Sequence, residues 1–160
     1  MTTNPSSRRL TAFTLLLYWG SILFGFGIPW LTTVMVDIVK HDQSLAQAMH
    51  QLRLHLFAPG YNLFLIGLMN AAPFLIFAIF ALLHLGLTPP EVGKLAGRRG
   101  AALLVTALAL VGLSAWVHVM TLWFPDAQGA LAYFFLPFVL LGLMPVSYAI
   151  GRGIGLLLFR

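Results

Sequence analysis

Residues 61–87 read YNLFLIGLMNAAPFLIFAIFALLHLGL, a stretch without a single Asp, Glu, Lys or Arg. A helix needs about 20 apolar residues to cross a hydrocarbon core of about 30 Å, and this run is longer than that. A transmembrane barrel strand would appear as an alternating segment of about ten residues. The run is continuous and does not alternate, so it predicts an α-helical span. Three more stretches read the same way, at about 10–36, 101–124 and 130–150, and none of them holds an Asp, Glu or Lys. The expected fold is therefore an all-α membrane protein, with four transmembrane helices in an antiparallel bundle forming one domain over residues 1–160.

Composition agrees. Charged residues make up 8% of the 160 residues and hydrophobic ones 60%, with a mean hydropathy of +0.93. A soluble domain carries about 25% charged residues to cover its wet surface, whereas a lipid-facing surface needs almost none. The absence of cysteine excludes disulfides, thiolate metal sites and cysteine nucleophiles. The net charge of +5 is not a nucleic-acid signature, because the basic residues stand at the ends of the apolar runs. With four spans, Arg8, Arg9, Lys94, Arg98, Arg99, Arg152 and Arg160 share one side, and Lys40 and Arg53 the other. The positive-inside rule then places both termini in the cytoplasm. The Ala/Leu/Gly-rich composition points to a multi-pass protein of a bacterial inner membrane. Ser7-Arg8-Arg9 ahead of an apolar run has the look of an export signal, but the run outlasts a signal core of about 7–15 residues. Gly25-Phe26-Gly27 is also a poor cleavage site, so this segment is read as a span.

Between the first two runs, Leu45, Met49, Leu52 and Leu56 recur at helical spacing with polar residues off the stripe. This predicts an amphipathic loop helix over about 43–57 on the outer face, ended by Pro59-Gly60. Thr88-Pro89-Pro90-Glu91 has the pattern of a helix start, a capping Thr followed three residues later by Glu. It predicts a short loop helix over 89–96, after which Arg98 and Arg99 are expected to meet lipid headgroups. Residues 125–129 form only a turn. Trp30, Tyr61, Trp123 and Tyr133 fall where an outer aromatic belt would lie, while Tyr18 and Trp19 sit deeper and are expected to face a neighbouring helix. Pro29, Pro73, Pro137 and Pro145 lie inside spans and each removes one helical hydrogen bond. Ser21/Gly25 and Gly151/Gly155 are small pairs four apart, which let backbones approach.

Polar residues at membrane depth are the candidates for function. Asn70, near the middle of the second span, is a candidate for ligand contact or helix–helix contact, the latter by bonding another helix or backbone freed by Pro73. Arg152, between two glycines, is the second candidate, for snorkelling or for binding an anionic group. His84 and His118 do not form a bis-histidine haem site, since their expected depths differ by roughly 20 Å. His41, His50 and His55 lack metal-ligand spacing, and Asp37, Asp42 and Asp126 read as solvated loop charges. Ser21, Ser114 and Ser147 have no visible base. No hydrolase, metalloprotease or nucleotide-binding motif occurs, and no carboxylate or lysine lies within a span. The expectation is a non-catalytic protein without cofactor or metal, acting as an accessory or scaffold subunit of a membrane assembly. The alternative is a homo-oligomeric pore or carrier for a small neutral or lipidic molecule. Expected partners are the lipid bilayer and a membrane protein or a second copy, not nucleic acid.

Overall fold

A computed structural model of the protein describes residues 5–86, 93–125 and 129–159. Among these residues all regular structure is helical. The elements are α1 (Pro5–His41), α2 (Leu45–His55), α3 (Leu63–Gly86), α4 (Gly93–Trp123) and α5 (Gly129–Leu158). Helices α1, α3, α4 and α5 each contain a stretch long and apolar enough to cross a membrane. The four apolar helices suggest a transmembrane helical protein.

Helix ends follow from local chemistry. Asp42 adopts a left-handed conformation (φ 52°) just after α1, which turns the chain so that the Gln43 N–H reaches the Asp37 carbonyl at 3.2 Å. Ser44 and Gln47 then form a capping box at the start of α2. Gly60, at φ 89°, makes the turn into α3.

Helix α2 falls within the expected 43–57. The buried face of α2 is Ala48 and Leu52, while Leu45 and Met49 are exposed. The helix lies on α1 with its small alanine inward, so the side that touches α1 is offset from the stripe of large residues. One expectation about the loops needs correcting: residues 93–96, expected to end a separate loop helix, are the first turn of α4, which continues through Gly97 and Gly100. The expected start at 88–92 lies outside the described residues. The Phe159 ring rests in the space that Gly97 leaves, where an added Cβ would stand 2.8 Å from it.

Helix α1 packs on α3 and α4, and α5 packs on α4 and α3. In lipid there is little hydrophobic drive between helices, and close van der Waals fit takes its place. Here small residues supply the fit. At Gly25 an added Cβ would lie 2.7 Å from the Phe74 Cβ and 3.1 Å from the Ala71 Cα. At Gly151 it would lie 2.6 Å from the Ala102 Cα, and at Gly155 2.9 Å from the Arg98 Cα. Late residues of α5 thus rest on the backbone of early α4, and both small pairs named above join helices of the same chain. The core between the four helices includes Leu17, Ile28, Phe74, Phe77, Ala81, Leu103, Leu110, Leu136 and Leu140. On α3 the buried positions 71, 74, 78, 81 and 85 follow the helical repeat.

Trp19 also departs from expectation, whereas Tyr18 is half-buried. Their rings meet edge-on at 5.1 Å, and Trp19 is 57% exposed rather than turned to another helix of the chain. Trp30 is anchored inward, its indole N–H donating to the Leu63 carbonyl at 3.0 Å.

Candidate functional site

Asn70 bonds groups on two other helices. Pro29 has no N–H, so the carbonyl four residues earlier, that of Gly25, loses its helical donor. Asn70 Nδ2 donates to this Gly25 oxygen at 2.7 Å. A carbonyl can only accept, which sets the amide orientation and turns Oδ1 toward α4, where Ser114 Oγ donates to it at 2.8 Å. Asn70 is 2% exposed and Ser114 fully buried. The amide therefore ties α1, α3 and α4 together. The backbone it satisfies was freed by Pro29 on α1, not by Pro73 on its own helix.

One turn along α4, His118 continues the chain of contacts. Its Nδ1 faces the Ser114 carbonyl at 2.8 Å. That oxygen cannot donate, so Nδ1 carries a proton, and Nε2 points away from Ser114. This Nε2 is buried without a hydrogen-bond partner, while the buried Tyr133 hydroxyl has the Tyr61 phenol as its neighbour. The His118 and Tyr133 rings lie 5.1 Å apart, which brings α5 into the cluster. Ser114 and His118 share a helix face, yet they form no nucleophile–base pair. The serine hydroxyl is spent on an amide oxygen, and the histidine bonds the backbone.

Six further hydroxyls bond carbonyls of their own helix. Thr32, Thr33, Thr106, Thr121 and Ser147 each return to a carbonyl three or four residues earlier, as Ser21 does to Leu17. Such bonds silence a buried hydroxyl without recruiting another helix.

At the opposite end, His84 Nε2 pairs with Tyr148 Oη at 2.6 Å, and the Phe80 ring stacks on the imidazole at 5.2 Å. His84 and His118 therefore belong to separate clusters. Arg152 is half-buried on α5 and, with Arg99, is a charged neighbour of His84; no direct bond brings Arg152 to Asn70. Arg98 and Arg99 bond helix ends. Arg98 donates through Nε and Nη2 to the Phe159 carbonyl at 3.2 and 3.0 Å, and Arg99 Nη1 reaches the His84 carbonyl at 3.5 Å. Both acceptors lie at helix C-termini, where orphan carbonyls and the negative end of the dipole favour a cation.

Near α2, His41 Nδ1 contacts Asp37 Oδ1 at 3.2 Å, and the His55 ring meets Tyr61 edge-on at 5.9 Å. No group of three His, Asp or Glu side chains converges among the described residues, and Asp126 lies outside them. Tyr61 precedes α3. Burial pushes its phenol above the ordinary tyrosine range; the neighbouring Tyr133 and Thr33 oppose this, and the Asp37 charge adds to it.

A cavity of about 680 Å³ opens where the starts of α3 and α5 meet the end of α4. Tyr61, Thr121 and Tyr133 supply its polar wall, and Leu65, Met69 and Phe134 much of its apolar wall. It was not legible from sequence, because its walls come from three elements distant along the chain.

Fold and cluster together define a helical protein with four membrane-span candidates and an interior polar network that joins helices. Comparison with protein-family models, curated proteins and solved structures finds no match in any of the three.

Proposed function

We propose that the chain is a non-catalytic multi-pass protein of a bacterial inner membrane, serving as an accessory or scaffold subunit of a membrane assembly. In this reading the four long helices cross the bilayer as an antiparallel bundle, both termini are cytoplasmic, and α2 lies at the outer face. One observation supports a partner above others. Gly142, Ala149 and Gly153 fall on one face of α5 and are exposed, and an added Cβ at either glycine would meet nothing. Glycine costs a helix about 1 kcal/mol relative to alanine. At Gly151 and Gly155 close contact with α4 offsets that cost, whereas at Gly142 and Gly153 no contact within the chain does. A helix of another protein approaching this stripe would supply it. Asn70, a candidate for ligand contact, bonds Gly25 and Ser114 on neighbouring helices.

The test is purification in mild detergent with mass spectrometry of whatever stays bound, for the wild type and for a Gly142→Leu/Gly153→Leu variant. The expected result is a stoichiometric membrane-protein partner on the wild type that is lost from the variant, while the melting temperature is unchanged. A wild-type particle containing this chain alone, which moves or turns over a solute in liposomes, would overturn the reading.

A further inference from the structure

Arg152 stands inside an apolar span rather than at its end. The span candidate of α5 runs from Leu131 to Leu158. The six residues that follow Arg152 in it, about 9 Å of helix, are all glycine, isoleucine or leucine. The side chain is half-buried, and among the described residues no hydrogen bond or ion pair reaches it. A guanidinium keeps its charge in a protein and offers donors only. At this depth it calls for an acceptor, above all an anionic one.

The frame around Arg152 is fixed by packing. Gly151 and Gly155 bring α5 onto the backbone of α4. One turn back, Tyr148 Oη pairs with His84 Nε2 at 2.6 Å and ties α5 to α3. The Phe80 ring stacks on the imidazole and meets the Tyr148 ring edge-on at 5.5 Å. Arg99 and Arg152 are both charged neighbours of His84. Arg99 belongs to the helix end, where it bonds the His84 carbonyl, which leaves Arg152 as the cation to be answered. Glu91, in the loop between α3 and α4, lies outside the described residues.

Toward the middle of the span the same face of α5 is apolar. Leu141, Pro145, Tyr148 and Arg152 recur at spacings of 4, 3 and 4, and Leu141 and Pro145 are exposed. On α3, Phe80 and, one turn on, Ile76 are exposed as well. A cation at the head of an apolar strip has the outline of an anionic phospholipid. The guanidinium fork suits two phosphate oxygens, and basic sites between helices at the cytoplasmic side hold such headgroups. A protein carboxylate could answer the charge, but Leu141 and Pro145 are bulky. The small residues that would admit a partner helix, Gly142, Ala149 and Gly153, lie on the adjacent face.

We propose that Arg152 binds an anionic phospholipid of the cytoplasmic leaflet. Its guanidinium donates to the phosphate oxygens, and an acyl chain lies along Pro145, Leu141 and Phe80. This rests on the transmembrane reading above and not on the accessory-subunit one.

The experiment gives the full chain, in a nonionic detergent, an equimolar mixture of phosphatidylglycerol and phosphatidylcholine with identical acyl chains. Native mass spectrometry reads which lipid is retained. Wild type should keep phosphatidylglycerol in preference. Arg152→Gln should lower that preference about tenfold, the scale of one charge-assisted bond, with an unchanged melting temperature in the absence of lipid. Arg152→Lys keeps the charge without the fork and should retain part of the preference. Lys94→Gln removes an exposed charge from the same end of the molecule and should leave it intact. Equal retention of the two lipids by wild type would overturn the proposal, as would a preference that survives Arg152→Gln. A preference seen only in Glu91→Gln would mean that this acid already neutralises Arg152, and would overturn it too. So would displacement of the lipid by an equal concentration of inorganic phosphate, the mark of a small-anion site. A protein partner lost from Arg152→Gln, with no lipid preference in wild type, would assign the charge to a carboxylate instead. Flotation with pure phosphatidylcholine vesicles checks the transmembrane reading separately, and wild type and Arg152→Gln should both float. If neither floats, that reading fails and the proposal with it; if both float and the preference is absent, only the proposal fails.

Discussion

The side-chain amide of Asn70 lies 2.7 Å from the Gly25 carbonyl oxygen, the acceptor that Pro29 leaves without its helical donor. The absence of a side chain at position 25 lets α3 come close enough for this contact, and the proline four residues later makes the contact necessary. A kink site on one helix and a polar residue on another thus form one unit.

Replacing Asn70 with Leu should destabilise the protein by about 2–4 kcal/mol, because it strands two buried groups, the Gly25 carbonyl and the Ser114 hydroxyl. Pro29→Ala returns an N–H that can bond Gly25 within α1. In that background the same Asn70→Leu change should cost about 1 kcal/mol less. Reversible unfolding in mixed detergent micelles, run as a double-mutant cycle, measures the difference. Equal costs in both backgrounds would show that the Gly25 carbonyl does not depend on Asn70.

Two glycines of α5 should respond in opposite ways. Gly151→Ala places a Cβ 2.6 Å from the Ala102 Cα, and backbone cannot yield as a flexible side chain can. The expected loss is about 1–3 kcal/mol, the usual cost of overpacking. Gly153→Ala meets nothing and should be neutral or slightly stabilising through helix propensity. Thermal unfolding of the purified variants in detergent separates the two.

Arg98 should matter for the end of α5 rather than for the whole protein. Removing its two hydrogen bonds to the Phe159 carbonyl with Arg98→Ala should cost about 0.5–2 kcal/mol. Hydrogen exchange should show faster exchange in the last turn of α5 while α3 is unaffected. Arg98→Lys keeps the charge but not the planar fork, and should recover only part of the effect.

The raised Tyr61 phenol gives a dependence at high pH. Its folded-state pKa lies above the unfolded value, so its contribution to stability is whole below about pH 10 and is lost as pH rises through the folded value. Stability followed from pH 8 to 11.5 should fall less steeply at its upper end in a Tyr61→Phe variant. Identical slopes would show that Tyr61 does not stay protonated in the folded protein.

The four long apolar helices were legible in the residues themselves because apolar length is a local property. A run such as 61–87 reads as a span whatever lies beside it. Boundaries were less legible. The Gly97-Arg98-Arg99-Gly100 stretch looks like a break, yet it lies within α4, and Phe159, far along the chain, rests in the space Gly97 leaves. The capping box at Ser44 and Gln47 is readable in the sequence, as a Ser three residues ahead of a Gln where the Leu45–Met49 stripe begins.

The sequence by itself determined which side chains are polar at depth and which carbonyls the prolines release, since Pro29 releases that of Gly25 wherever the helix packs. Only the tertiary structure decided that Asn70 answers that carbonyl and that Ser114 answers Asn70. It also decided that Gly151 is covered while Gly153 is open. These outcomes depend on how each helix is rotated about its own axis against its neighbours. In an apolar chain that rotation is set by the fit of many weak contacts from all four helices together, and no single segment carries it.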